Sequence, residues 1–246
     1  MTGLPFLGSL LLGRRRHILA GLVVGGSLIM GAAKASTAHP KTAQRNAAQS
    51  PARQELLDLV RSAAGLSDAE KLERVNQFFN RRVRYGEDIQ VWGRLDYWAS
   101  PLETLERGAG DCEDFAIAKY FTLRLLGIPE GNLRLIYTTL DATRQAHMVL
   151  GYWSEGAQVP LVLDSLVMEI RPLSQRHDLL MQFAFDAEHL YRFEHDRLVT
   201  VGDAQLIPRW RRIQEQVLAE RLAAPGPVQL ASAATDSNAS AGPPTN

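Results

Sequence analysis

The strongest constraint on this chain is a change of hydrophobic period near residue 127. Before it, apolar residues recur at helical spacing. After it, they fall in short strand-length blocks. Residues 51–63 carry Leu56, Leu57 and Val60 on a helical repeat. Ser67-Asp68-Ala69-Glu70 reads as a capping box opening a second helix to about Arg82, with Leu72, Val75, Phe78 and Phe79 on one face. Residues 84–101 are irregular and aromatic, and Gly108-Ala109-Gly110 is a flexible turn. Residues 112–126 read as a helix closed by Gly127, with Pro129 beyond it. Its apolar positions (Phe115, Ile117, Ala118, Phe121, Leu125 and Leu126) wrap more than one face, which predicts burial. Residues 133–139, 147–153 and 161–164 then read as strands. Helices are expected near 173–195, followed by a charged amphipathic helix over 209–223. Helices, one buried helix, then an antiparallel sheet make an α+β domain over residues 51–223.

The ends of the chain read differently. Arg14-Arg15-Arg16 precedes an apolar run of 13 residues from Ile18 to Met30, and Ala33-Lys34-Ala35 follows. This is the layout of an export signal over 1–35, and the run is short for a membrane span of about 20 residues. Phe6 to Leu12 is also apolar, so an uncleaved anchor is the competing reading. Residues 36–50 are small and polar, a linker, and 224–246 lack any core-forming pattern and read as a disordered tail. The 27 basic and 27 acidic residues cancel; without 1–35, 23 basic face 27 acidic. Neither balance draws the chain to nucleic acid.

The chain holds a single cysteine, Cys112. Exported proteins use cysteine mostly in disulfides, so one unpaired thiol needs burial or chemistry to explain it. Cys112 sits at the start of the buried helix, where free backbone N–H groups and the helix dipole favour a thiolate. His147 opens the second strand and Asp164 ends the third. Neighbouring strands can bring an imidazole and a carboxylate into hydrogen-bond reach, with the helix supplying the thiol. Taken singly, each residue has a plainer role: small core residue, hydrogen-bonded histidine, turn former. The other histidines fall in the signal, the linker or expected helices.

Asp111, Glu113 and Asp114 flank Cys112 and would raise its pKa by like-charge repulsion. They serve either as acids at a helix N-terminus or as ligands of a cation. With no second cysteine or paired histidines nearby, Ca²⁺ suits such oxygen ligands better than Zn²⁺. Residues 111 and 113 share no helical face, so Asp111 must precede the first turn, and carbonyls from 84–101 are candidates to complete the shell.

Four stretches carry a resemblance: Asp96-Tyr97-Trp98-Ala99-Ser100-Pro101-Leu102-Glu103; Gly110-Asp111-Cys112-Glu113-Asp114-Phe115-Ala116-Ile117-Ala118-Lys119-Tyr120; Ala146-His147-Met148-Val149-Leu150; and Pro160-Leu161-Val162-Leu163-Asp164. Together they resemble the bacterial transglutaminase-like cysteine proteinases of the LapG type over about residues 55–210. The resemblance implies a papain/transglutaminase-like fold and a triad of Cys112, His147 and Asp164. It implies calcium ligands at Asp111, Glu113 and Asp114, and a periplasmic location. The implied substrate is a large repeat adhesin, cut near its N-terminus at a dialanine site so that biofilm disperses. The implied restraining partner is an inner-membrane cyclic-di-GMP receptor of the LapD type. Ser165 departs from the asparagine expected after the triad aspartate. A transglutaminase-like acyltransferase would use the same residues, and a non-catalytic binding module would use none of them.

Overall fold

The computed structural model describes residues 50–194 and 197–223. The stretches read as export signal and tail, and the linker apart from Ser50, lie outside the described residues, as do His195 and Asp196. Among the described residues no helix is long and apolar enough to cross a membrane.

Helix α1 (Pro51–Ala63) starts with Pro at its first position, and the Ser50 hydroxyl accepts from Arg53 N–H at 3.2 Å. Helix α2 (Asp68–Arg82) opens on the Ser67/Glu70 capping box. Strand β1 (Arg84–Tyr85), the one-turn helix α3 (Asp88–Val91) and helix α4 (Pro101–Arg107) follow. A second capping box, Ser100/Glu103, opens α4, and Gly108 ends it in the left-handed conformation at φ 64°, where a Cβ would be strained. Strand β2 (Ala109–Gly110) then pairs in parallel with β1, Tyr85 opposite Gly110. This short bridge ties the irregular 84–100 segment to the start of helix α5 (Cys112–Leu125).

Strands β3 (Leu133–Leu140), β4 (Ala146–Tyr152), β5 (Leu161–Leu163), β6 (Arg171–Pro172), β7 (Leu179–Phe185), β8 (His189–Glu194) and β9 (Arg197–Asp203) form one antiparallel sheet. Its order is β6-β5-β4-β3-β7-β8-β9. Helix α6 (Pro208–Leu222) closes the described chain. Alternation along the strands divides the apolar residues between two clusters. Leu133, Leu135, Met148 and Leu150 join the main core with α5, whereas Ile136 and Val149 join a second cluster. Trp210 of α6 is fully buried and locks onto the main core, its indole N–H donating to Asp186 O at 2.8 Å.

The expected helices near 173–195 are a correction: residues 173–175 form a single 3-10 turn, and Leu179–Phe185 and His189–Glu194 are strands. Residues 179–185 (Leu-Leu-Met-Gln-Phe-Ala-Phe) place apolar groups on both faces of the sheet. A strand covered on both sides reads as a continuous apolar run, which periodicity cannot distinguish from a buried helix. The register decides: Tyr137 stacks on its cross-strand partner Phe183 with ring centroids 5.0 Å apart. His189 therefore opens a strand rather than riding on a helix.

Candidate active site

His147 stands near the start of β4 and Asp164 directly follows β5, the strand paired with β4. The structure brings their side chains together: Nε2 and Oδ1 lie 2.8 Å apart, with both side chains buried. Burial pushes the Asp164 carboxyl up, but bonds from His147, the Leu166 N–H and Arg176 outweigh it and hold it at about 2. The carboxylate is therefore ionised and accepts, so Nε2 carries the ring proton and Nδ1 is left with a free lone pair.

Cys112 is the first residue of α5, half-buried. Its Sγ is set beside the Met148 backbone N–H, one residue beyond His147, while its own hydrogen bond runs to Glu113 Oε2 at 3.1 Å. Burial, then the charges of Glu113 and Asp111, push this thiol well up. The structure thus unites His147 with Asp164 and sets Cys112 against the same strand, with its proton directed at a carboxylate.

That carboxylate belongs to a cluster. One oxygen each from Asp88, Asp111 and Glu113 lies within 4.8 Å of the others. Asp111 is the N-cap of α5 with extended backbone, φ −103° and ψ −165°, so it precedes the first turn and converges with Glu113 although the two share no helical face. Asp88 arrives from α3, brought there by the β1–β2 bridge. Asp88 Oδ1 and Asp111 Oδ1 are buried without a hydrogen-bond partner among the described residues. Burial, opposed by the Tyr97 N–H and aided by the charges of Glu113, Asp96 and Glu87, lifts the Asp88 carboxyl to about 7. Burial and the Glu113 charge likewise raise that of Asp111. Three converging carboxylates, two of them with a buried unpartnered oxygen, fit a divalent cation.

Asp114, expected beside Asp111 and Glu113, lies outside this trio. Its Oδ1 accepts the Ala99 N–H at 2.8 Å and braces the loop before α4. Asp88 was missed because nothing in the aperiodic 84–100 segment marks one acid over another. Buried Lys119 and Arg176, which contact Asp164, were missed as well. Ser165 Oγ is buried and bonds nothing among the described residues. Of the aromatics near the site, Trp98 is core, stacked on Phe185 at 6.0 Å, while Trp92 and Tyr97 pair with each other at 4.7 Å.

Gly110 governs this corner. A Cβ there would stand 2.6 Å from Asp114 Oδ2 and 2.8 Å from Asp114 Cβ. Asp114 is fully buried and bonded, so it cannot yield. Gly110→Ala is expected to cost about 1–3 kcal/mol of stability through overpacking, read by urea denaturation. A change under about 0.5 kcal/mol would show the corner to be loose.

The comparisons with known proteins fit this geometry. The family profile described as bacterial transglutaminase-like cysteine proteinase matches residues 29–184. Among solved structures, EGTA-treated Legionella pneumophila LapG is 35% identical, with a TM-score of 0.62 over 72% of this chain and 96% of that one. Calcium-bound Legionella pneumophila LapG is 34% identical, with a TM-score of 0.60 over 71% and 97%. No match is found among curated proteins. The α+β architecture, with the cysteine-bearing helix packed on an antiparallel sheet, is accordingly the papain-like one of these structures. The chain belongs to the bacterial transglutaminase-like cysteine proteinases, and within them it is of the LapG type.

Proposed function

We propose that this protein is a periplasmic, calcium-dependent cysteine endopeptidase. It cuts the N-terminal region of a large surface adhesin at a dialanine-type site, releasing the adhesin and dispersing biofilm. An inner-membrane cyclic-di-GMP receptor of the LapD type restrains it. The observation that carries the enzymatic part is the buried His147–Asp164 pair at 2.8 Å, on the strand segment that meets the Cys112 thiol. The acidic trio, together with the calcium-bound and EGTA-treated forms of Legionella pneumophila LapG, supports the choice of metal. Location, adhesin and receptor rest on the family resemblance and the expected export signal.

In the mechanism, Cys112 passes its proton to His147 Nδ1 and the sulfur attacks the scissile carbonyl. Asp164 holds the opposite ring nitrogen and stabilises the imidazolium. Backbone N–H groups at the start of α5, that of Cys112 included, receive the developing oxyanion. His147 then protonates the departing amine, leaving a thioester on Cys112. Water deprotonated by His147 attacks the thioester, frees the new carboxyl terminus and restores the thiol. Asp88, Asp111 and Glu113 are the residues that would hold calcium, whose positive charge offsets the carboxylates crowding the thiol.

The test uses the purified protein and an adhesin N-terminal fragment containing a dialanine. A new N-terminus is expected in calcium and none in EGTA, and Cys112→Ala should cut in neither. Cutting by Cys112→Ala would remove the nucleophile assignment. Cutting undiminished by EGTA would remove calcium, and amine incorporation into a glutamine donor without chain cleavage would mark an acyltransferase instead.

A further inference from the structure

The reaction described above employs one oxygen of Asp164. Oδ1 faces His147 Nε2 and also accepts the Leu166 N–H at 2.9 Å. Oδ2 is occupied by a group with no part in that chemistry: Arg176 Nη2 donates to it at 2.6 Å. Both side chains of this ion pair are closed to solvent. Arg176 lies in the turn before β7 and is itself held from outside. Its Nε donates to Asp178 Oδ1 at 2.9 Å and its Nη2 to Asp178 Oδ2 at 2.8 Å, with the Asp178 side chain 53% exposed. The Asp164 main chain is pinned too, its carbonyl accepting from Lys119 Nζ at 3.0 Å and Asn80 Nδ2 at 2.7 Å.

Desolvating two buried charges offsets much of their attraction, so this ion pair is weak evidence of a purely stabilising role. The place of Arg176 beside Asp164 points instead to orientation of the carboxylate. The final torsion of an aspartate is broad and nearly two-fold, so a carboxylate bonded at one oxygen can swing. A guanidinium at the second oxygen removes that freedom. We propose that Arg176 is a positioning residue for the cleavage reaction: it locks the Asp164 carboxylate from the side away from His147, and Asp178 aims Arg176 in turn. This rests on the catalytic reading above. The sequence Asp178–Arg176–Asp164–His147 then runs from the surface to the imidazole as a chain of oriented contacts, fixing Oδ1 on Nε2–H and leaving Nδ1 to the thiol.

The experiment measures steady-state cleavage and the His147 Nε2–H proton resonance in the full chain labelled with ¹⁵N-histidine. In Arg176→Met, kcat is expected to fall about 100-fold through misplacement of the ring, KM to stay within about twofold, and the resonance to broaden away. Arg176→Lys, which keeps the charge but not the fork, should recover part of both. Should Arg176→Met not fold, the surface variant Asp178→Ala decides: roughly a three- to tenfold lower kcat and a weakened resonance are expected. An unchanged kcat and resonance in Asp178→Ala, or a raised KM at unchanged kcat in Arg176→Met, would overturn the proposal. The resonance reads the clamp whether or not Cys112 is the nucleophile, so failure here is distinct from failure of the Cys112→Ala test.

Discussion

Asp164→Asn is expected to lower kcat by about four orders of magnitude with little change in KM, measured by steady-state cleavage of the adhesin fragment. The size follows from which way the new amide must turn. Both oxygens face donors, Arg176 at Oδ2 and the Leu166 N–H at Oδ1, and the charged guanidinium makes the stronger bond, so the amide oxygen goes to Arg176 and the NH2 group goes to His147. The ring must then accept at Nε2 and carry its proton on Nδ1, the nitrogen needed to take the thiol proton. The fold should survive, since the amide retains a bond to Arg176 and the shape of the carboxylate. Activity within tenfold of the unaltered protein would exclude Asp164 from the triad.

Calcium is expected to raise the thermal unfolding midpoint of the unaltered protein by roughly 5–10 °C at hundredfold excess over Kd, and Asp88→Asn to remove most of that gain. In chelator the order reverses. The Asp88 carboxyl titrates near 3.8 when free and near 7 when folded, so the folded chain holds the proton more tightly. Its contribution to stability is present below about pH 4 and is lost as pH rises through 7. Cation-free Asp88→Asn is therefore expected to be the more stable of the two proteins at pH 8, with the difference closing toward pH 4. An equal calcium response in both proteins, read by differential scanning calorimetry, would remove Asp88 from the site.

The sequence made some of this architecture plain. Helix α2 was readable from its capping box and apolar face, and α5 from Gly127 and its all-round apolar surface. Strands β3, β4 and β5 were readable because each is short, apolar and bounded by turn residues. Strand β7 was not, because a strand apolar on both faces loses the alternation that reveals it. The same split runs through the site. Cys112, His147 and Asp164 sit at the ends of legible elements. Asp88 reaches Glu113 only through a two-residue parallel bridge, and Arg176 reaches Asp164 from a turn inside the misread region. Pairings this short leave no periodic trace; only three-dimensional proximity exposes them.

The extended backbone of Asp111 has a consequence for timing. Because α5 begins one residue later, Asp111 and Glu113 bracket Cys112 along the chain and still meet on the same small volume. On the proposed function, calcium ligands and nucleophile would thus be adjacent links of a single polypeptide turn. No hinge, subunit rotation or relay across the interior has to intervene. Switching on this scaffold should keep pace with ion exchange itself, and stopped-flow mixing with calcium would find activity rising without a slow conformational lag.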